Sequence, residues 1–308
     1  MSDEPSSEPA VDDSTIDDEP VQALLDQLDL EELDVNLYRG DNPAERHNQR
    51  VFGGLVAAQA LRAATLTVES EHHPHSLHGY FLRGGKPGRP IVFHVDRIRD
   101  GRSFTTRRVV AVQYGEAIFN MTASFQRREE DQTDYQFGLP VDLPGPDEVP
   151  DRQPRDEVHA HWMKRSPFLT KELGPGETDD HGVYSSTRRV WFRAKSALPD
   201  DPLLQACALT YATDMGAVTA AVVPILGAEW MEAFGKTMSA SLDHAVWFHR
   251  PVRVDRWNYY DLHAVSSQNS RGLVRGTIHS RDGTLVASMT QEALIRRLRP
   301  SAIGPELA

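Results

Sequence analysis

Asp214 is the only charged side chain among the 27 residues between Asp201 and Glu229 (PLLQACALTYATDMGAVTAAVVPILGA), a stretch that otherwise reads as core. A carboxylate removed from water is costly unless it is hydrogen-bonded, paired or protonated. It is either a structural Asp, capping a helix or held by hydrogen bonds, or a carboxylate kept there for proton chemistry. A second polar residue interrupts an apolar face near the C-terminus. Counting by two along the last strand-like run, Leu285, Ala287, Met289, Gln291, Ala293 and Ile295 share one side. Gln291 is the one polar residue among them, either a core amide bonded to a backbone carbonyl or part of a site. Ser241, in TMSASLDHAVWFHR (237–250), says little by itself. His244, His249 and the histidines of 72–94 show no metal-ligand spacing, so no metal is expected, and HHPH (72–75) reads as a solvated loop. The single cysteine, Cys207, cannot form an internal disulfide; it lies on the same apolar stretch as Asp214 and reads as a packing residue in a reducing compartment.

Two all-round apolar helices and several strand-like runs must position these groups. The 308-residue chain carries a net charge of −12, but residues 1–34 alone hold 13 Asp and Glu with no Lys or Arg. The body is therefore close to neutral and has no basic run to suggest nucleic acid. Residues 1–20 read as a disordered acidic tail. VQALLDQLDL (21–30) reads as a short helix, and RVFGGLVAAQALRAATLTV (50–68) as a helix buried on most sides. A second buried helix is expected over 202–219. The 202–228 stretch is long enough to raise a membrane question, but Gln205, Asp214, Pro224 and several Thr favour a buried helix over a span. SLHGYFLR, PIVFHVDRIRD, RSFTTRRVVAVQ and EAIFNMTASFQ read as strands separated by glycine turns. Residues 127–180 read as a long connection with a short helix near EVHAHWMKRS. Further strands follow at 184–194, 237–250, 257–267, 271–281 and 284–296, the last two joined by an Asp282-Gly283 hairpin.

Helix-then-strands, used twice, is an α+β pattern. The halves also match residue by residue. FLRGGKP (81–87) answers FHRPVRV (248–254), and YGEAIFNMTASFQ (114–126) answers DGTLVASMTQEAL (282–294). In the second match Ala123 stands where Gln291 stands, as if one half kept a site and the other lost it. The expected division is an acidic tail over 1–20, an N-terminal unit over 21–128, a linker over 129–183, a C-terminal unit over 184–298 and a tail over 299–308.

FGGLVAAQAL (52–61), HSLHGYFLR (75–83), RDGRSFTTRRV (99–109), MTASFQ (121–126), LDHAVWFHRP (242–251), RGLVRG (271–276) and DGTLVASMTQE (282–292) occur in order at the right separations. Together they closely resemble the type II, TesB-like acyl-CoA thioesterases, near the mycobacterial members, over about residues 21–298. The resemblance implies a double hotdog fold and hydrolysis of fatty acyl-CoA to fatty acid and CoA. It also implies a trio: an Asp on the second-half helix, a Thr or Ser just before the DH of DHxxWFHRP, and a Gln in the last strand. Those positions are Asp214, Ser241 and Gln291 here. Ser in place of Thr keeps the hydroxyl, so its role is expected to survive. Leu55 stands where the family more often has Gln, which is expected to alter the substrate channel.

The implied chemistry uses no metal, cofactor or covalent intermediate. Asp214 takes a proton from water, Ser241 and Gln291 hold that water, and backbone N–H groups near a helix start stabilise the oxyanion. CoA phosphates call for arginines; Arg83, Arg102, Arg107, Arg108, Arg271 and Arg275 lie near strand ends, and none is assigned. Two rivals stand beside this reading. A hotdog enoyl-CoA hydratase would pair its Asp with a His five residues later, where Thr219 stands. A non-catalytic acyl-CoA sensor would not need the trio. No signal peptide is apparent and PELA is not a peroxisomal address, so the expected setting is cytoplasmic, off the membrane, as a homo-oligomer (dimer or tetramer).

Overall fold

The computed structural model describes residues 18–44, 49–129, 132–226 and 237–297. Most of the acidic tail and the whole of 299–308 lie outside those residues. The described chain opens on α1 (Glu19–Leu28), which buries Val21, Leu24 and Leu28. A hairpin then follows where no strand was expected, β1 (Glu31–Asp34) and β2 (Leu37–Gly40). Every residue of β1 is exposed, so EELD carries no apolar alternation to read.

In α2 (Gly53–Thr65) only Gly53 and Arg62 escape burial. Its small side chains let β-strands approach one side while another helix packs on the other. The strands are β3 (His72–Phe81), β4 (Ile91–Asp100), β5 (Phe104–Gln113) and β6 (Glu116–Arg127). HHPH is thus not a solvated loop: it opens β3 in register with β6, and His72 and Pro74 are buried. Beyond them come α3 (Glu157–Arg165), at the short helix expected there, and β7 (Phe168–Gly174), a strand within the stretch read as a connection. Asp156 caps α3 by accepting from His159 N–H.

The second half repeats the plan with β8 (Arg188–Ala194), α4 (Pro202–Thr213), α5 (Ala217–Leu226), β9 (Thr237–Ser241), β10 (Asp243–Phe248), β11 (Asn258–Gln268), β12 (Arg271–Ser280) and β13 (Leu285–Arg297). Asp201 starts α4 by accepting from the N–H groups of Leu203 and Leu204, with Pro202 in the first turn. The segment Pro202–Ile225 is long and apolar enough to cross a membrane, yet 78% of its apolar window is buried within the fold. The expectation of a buried helix therefore holds.

The strands form one antiparallel sheet in the order β1-β2-β4-β5-β6-β3-β10-β13-β12-β11-β8-β7, with β9 also paired to β13. The order β4-β5-β6-β3 in one half corresponds to β11-β12-β13-β10 in the other. The halves meet at β3 and β10, where Asp243 to Trp247 run against Tyr80 to Ser76. Across this seam α2 packs against α4. That packing brings the start of α2 to the end of α4, and so to Asp214.

Candidate active site

The expected single helix over 202–219 is broken. α4 ends at Thr213, α5 begins at Ala217, and Asp214 occupies the C-cap between them. Gly216 makes the turn at φ +81°, a left-handed conformation open to glycine. The last carbonyls of a helix have no partner within it. Here Tyr260 Oη donates to Thr213 O (2.7 Å) and Arg188 Nη1 to Met215 O (3.0 Å). Burial pushes the Tyr260 phenol well above its usual range, so it is a neutral donor. Arg188 is itself gripped by Glu172 of β7, through Nε (2.9 Å) and Nη2 (3.0 Å).

The start of α2 is under-supplied in a complementary way. Its N-cap residue is Phe52, which offers no side-chain acceptor. The Asp214 carboxylate takes that place from the other half of the chain and accepts the N–H of Gly54. Glycines are needed for so close an approach. A Cβ on Gly53 would lie 2.9 Å from Asp214 Oδ2, and one on Gly54 would lie 2.6 Å from the Tyr211 carbonyl.

A β-bulge supplies the remaining groups. Ser241 pairs with Ala293 and Ala245 with Thr290, so Leu242, Asp243 and His244 oppose only Gln291 and Glu292. Asp243 Oδ1 fixes the bulge by accepting Glu292 N–H (2.6 Å). In a regular strand, Ser241 and His244 would face opposite sides; here both reach Gln291. Ser241 Oγ donates to Asp214 Oδ1 (3.2 Å) and accepts from Gln291 Nε2 (2.8 Å). Gln291 also hydrogen-bonds Asp214. On its far side Gln291 Oε1 lies 2.6 Å from His244 Nδ1, and His244 Nε2 lies 2.8 Å from Thr213 Oγ1.

The structure therefore brings Asp214, Ser241 and Gln291 into one hydrogen-bonded cluster. Asp214 is 6% exposed and Gln291 1%. Burial raises the Asp214 pKa above the usual carboxylate range, partly offset by His244, Gln291, Ser241 and the Gly54 N–H. Burial lowers the pKa of His244. A raised carboxylate in a nearly dry pocket can accept a proton from water. Ser241→Ala removes the donor to Asp214 and is expected to cost roughly tenfold in turnover, whereas Ser241→Thr keeps wild-type activity. Equal activity in all three proteins would remove Ser241 from the site.

The first half differs at the corresponding position. Ala123 pairs with Arg107 across β6 and β5 as Gln291 pairs with Val274 across β13 and β12. Arg107 is not the surface arginine the sequence offered. It is buried, donates to Thr67 Oγ1 (2.8 Å) and Thr67 O (2.9 Å), and pairs with Asp100. Of the other arginines considered for phosphates, Arg83, Arg108 and Arg271 are engaged by Glu116, Asp96 and Glu292. Among the described residues, Glu69, Glu71 and His72 bring potential metal ligands within 4.8 Å of one another, but Arg127 already engages Glu71 (3.1 Å). Sequence reasoning missed Arg188, Tyr260 and the part played by His244. Only the DH of LDHAVWFHRP marked that last position.

Residues 42–126 match the family described as the acyl-CoA thioesterase N-terminal domain, and residues 140–295 match the acyl-CoA thioesterase C-terminal domain. Acyl-coenzyme A thioesterase 8 of Mus musculus is 35% identical over 296 residues, which span 91% of this chain and 90% of that protein. The crystal structure of acyl-CoA thioesterase II TesB2 from Mycobacterium marinum superposes with a TM-score of 0.74 at 39% identity, over 89% of this chain and 98% of that one. A protein with a hot dog fold from Alicyclobacillus acidocaldarius shares the fold at 22% identity, with a TM-score of 0.71 over 90% of this chain and 99% of that one. The halves built around α2 and α4–α5 are two hotdogs fused through β3 and β10, and this chain belongs to the acyl-CoA thioesterase family, in its type II, TesB-like branch.

Proposed function

We propose that the chain hydrolyses fatty acyl-CoA to free fatty acid and CoA with a water activated by Asp214. The observation that carries this reading is the Asp214 carboxylate, held between the N-terminus of α2 and the Ser241–Gln291 pair. Asp214 accepts a proton as the water oxygen attacks the thioester carbonyl, and Ser241 and Gln291 orient that water. Charge developing on the carbonyl oxygen is stabilised by the positive end of α2, through a backbone N–H other than that of Gly54, which Asp214 already holds. The tetrahedral intermediate then collapses, the C–S bond breaks, and the proton held by Asp214 leaves with the CoA sulfur. The chemistry needs neither a metal nor an acyl-enzyme.

A small cleft of about 70 Å³ opens beside the start of α2, and the mouth of the acyl channel is placed there. Leu24, Val51, Phe52, Leu55, Pro167 and Tyr211 lie along it. The Phe52 and Tyr211 rings meet edge-on at 4.8 Å, and the Phe52 ring backs onto Gly54, the residue that donates to Asp214. Leu55 thus keeps this wall apolar where a Gln would place an amide. For the setting, the cytoplasm suits Cys207, buried in α4 with its thiol pushed up to about 12 by burial and inert toward oxidation. A dimer or tetramer rests on the family resemblance.

Free CoA release, followed with a thiol-reactive dye, separates hydrolysis from mere binding. Gln291→Ala is expected to lower kcat by ~10²-fold with acyl-CoA still bound. Tight binding by wild type with no CoA release would identify a sensor instead.

A further inference from the structure

We infer that His244 is a positioning residue: its Nδ1–H holds the Gln291 amide in the one orientation that turns Nε2 toward Ser241 and Asp214. The inference rests on the reading of Asp214 as an ionised base, and donor counting then leaves one arrangement. A carboxylate only accepts, so Ser241 Oγ–H points at Asp214 Oδ1 (3.2 Å). Ser241 has no second hydrogen, so at 2.8 Å it must accept from Gln291 Nε2. The Gln291 amide is thereby oriented, and Oε1 faces His244 Nδ1 at 2.6 Å. An amide oxygen also only accepts, so Nδ1 carries the hydrogen. In the neutral ring Nε2 is then a bare lone pair, and Thr213 Oγ1–H, 2.8 Å away, fills it.

Thr213 has an alternative acceptor, Thr210 O, also at 2.8 Å, so its single hydrogen chooses between the two. With the hydrogen on Nδ1, four successive hydrogen bonds run one way: Thr213 to His244 to Gln291 to Ser241 to Asp214. With the hydrogen on Nε2 the sequence reverses. Two lone pairs would then face each other in a buried gap, and the Gln291 amide would turn over to relieve them. Oε1 would draw the Ser241 hydrogen, and Asp214 would lose that donor. His244 has no part in the bond-breaking steps. It is fully buried, and Gln291 stands between it and Ser241. The bulge at 242–244 is what allows this contact. The charged groups that face His244 are Asp214, across Gln291, and Asp243 of its own strand.

Two experiments test the inference. Nitrogen-15 NMR of the wild-type imidazole is expected to find Nδ1 protonated and Nε2 bare; an Nε2–H tautomer overturns the proposal. In kinetics, His244→Leu is expected to lower kcat about tenfold with KM nearly unchanged. His244→Asn places an amide N–H close to the position of Nδ1 and is expected to restore most of that loss. In a Gln291→Ala background, His244→Leu is expected to cost nothing further. An equal loss in both backgrounds, or wild-type turnover in His244→Leu, overturns the inference. If His244→Leu does not fold, His244→Asn and the ring tautomer decide. The underlying reading fails in a different way: Gln291→Ala would then retain wild-type hydrolysis.

Discussion

Asp214→Asn lowers kcat by roughly 10²- to 10⁴-fold while the fold survives. The same substitution has a second, pH-dependent effect. Burial raises the Asp214 pKa in the folded protein, so the folded chain keeps this proton to a higher pH than the unfolded chain does. Wild-type stability therefore falls as pH rises from the unfolded carboxylate value through the raised folded one. Asn has no proton to lose and escapes that penalty. Asp214→Asn is expected to gain in Tm over wild type across this window, with no such gain below it. Activity of the wild type moves the opposite way, lost as pH falls through the folded pKa. Turnover at several pH values and calorimetry on both proteins check the two halves together. Wild-type turnover in Asp214→Asn ends the assignment, and a Tm difference that is constant with pH removes the buried charge.

Gly216→Ala damages the site without touching any of the trio. The backbone there is left-handed at φ +81°, which costs an alanine about 1–2 kcal/mol. The new Cβ would also lie 2.4 Å from Arg188 Nη1. That guanidinium must then give up Met215 O or its grip on Glu172. The break carrying Asp214 shifts, and misplacement by about 1 Å costs up to ~10²-fold in rate. The expected result is a Tm lower by several degrees and a clear fall in kcat. A fall in Tm with kcat unchanged would show that the break does not govern catalysis.

Asp214 and Gln291 were legible in the sequence because each interrupts an apolar pattern, one in a buried helix and one on a buried strand face. Ser241 was not. Its position became readable only through the family resemblance, because a strand serine carries no pattern of its own. His244 was legible as a residue but not as a partner. Period-two counting sends 241 and 244 to opposite faces, and the bulge that reunites them depends on Glu292 and Asp243, pairing that sequence spacing does not reveal. The break in the helix was hidden because Asp214-Met215-Gly216 lies within an apolar run, and the groups that hold it open, Arg188 and Tyr260, come from distant strands. The β1–β2 hairpin escaped for the opposite reason: β1 is an exposed edge, which needs no apolar code, and β2 is only four residues long.

The Arg107 side chain has a consequence for stoichiometry. A protein assembled from two copies of one plan could offer two equivalent centres, as a symmetric dimer does. Here the first copy has Ala123 where the second has Gln291, and the strand residue paired with it, Arg107, is a buried guanidinium tied to Thr67 and Asp100. With the centre proposed at Asp214, each polypeptide is expected to work on a single thioester per cycle, the first copy lending the second the start of one helix.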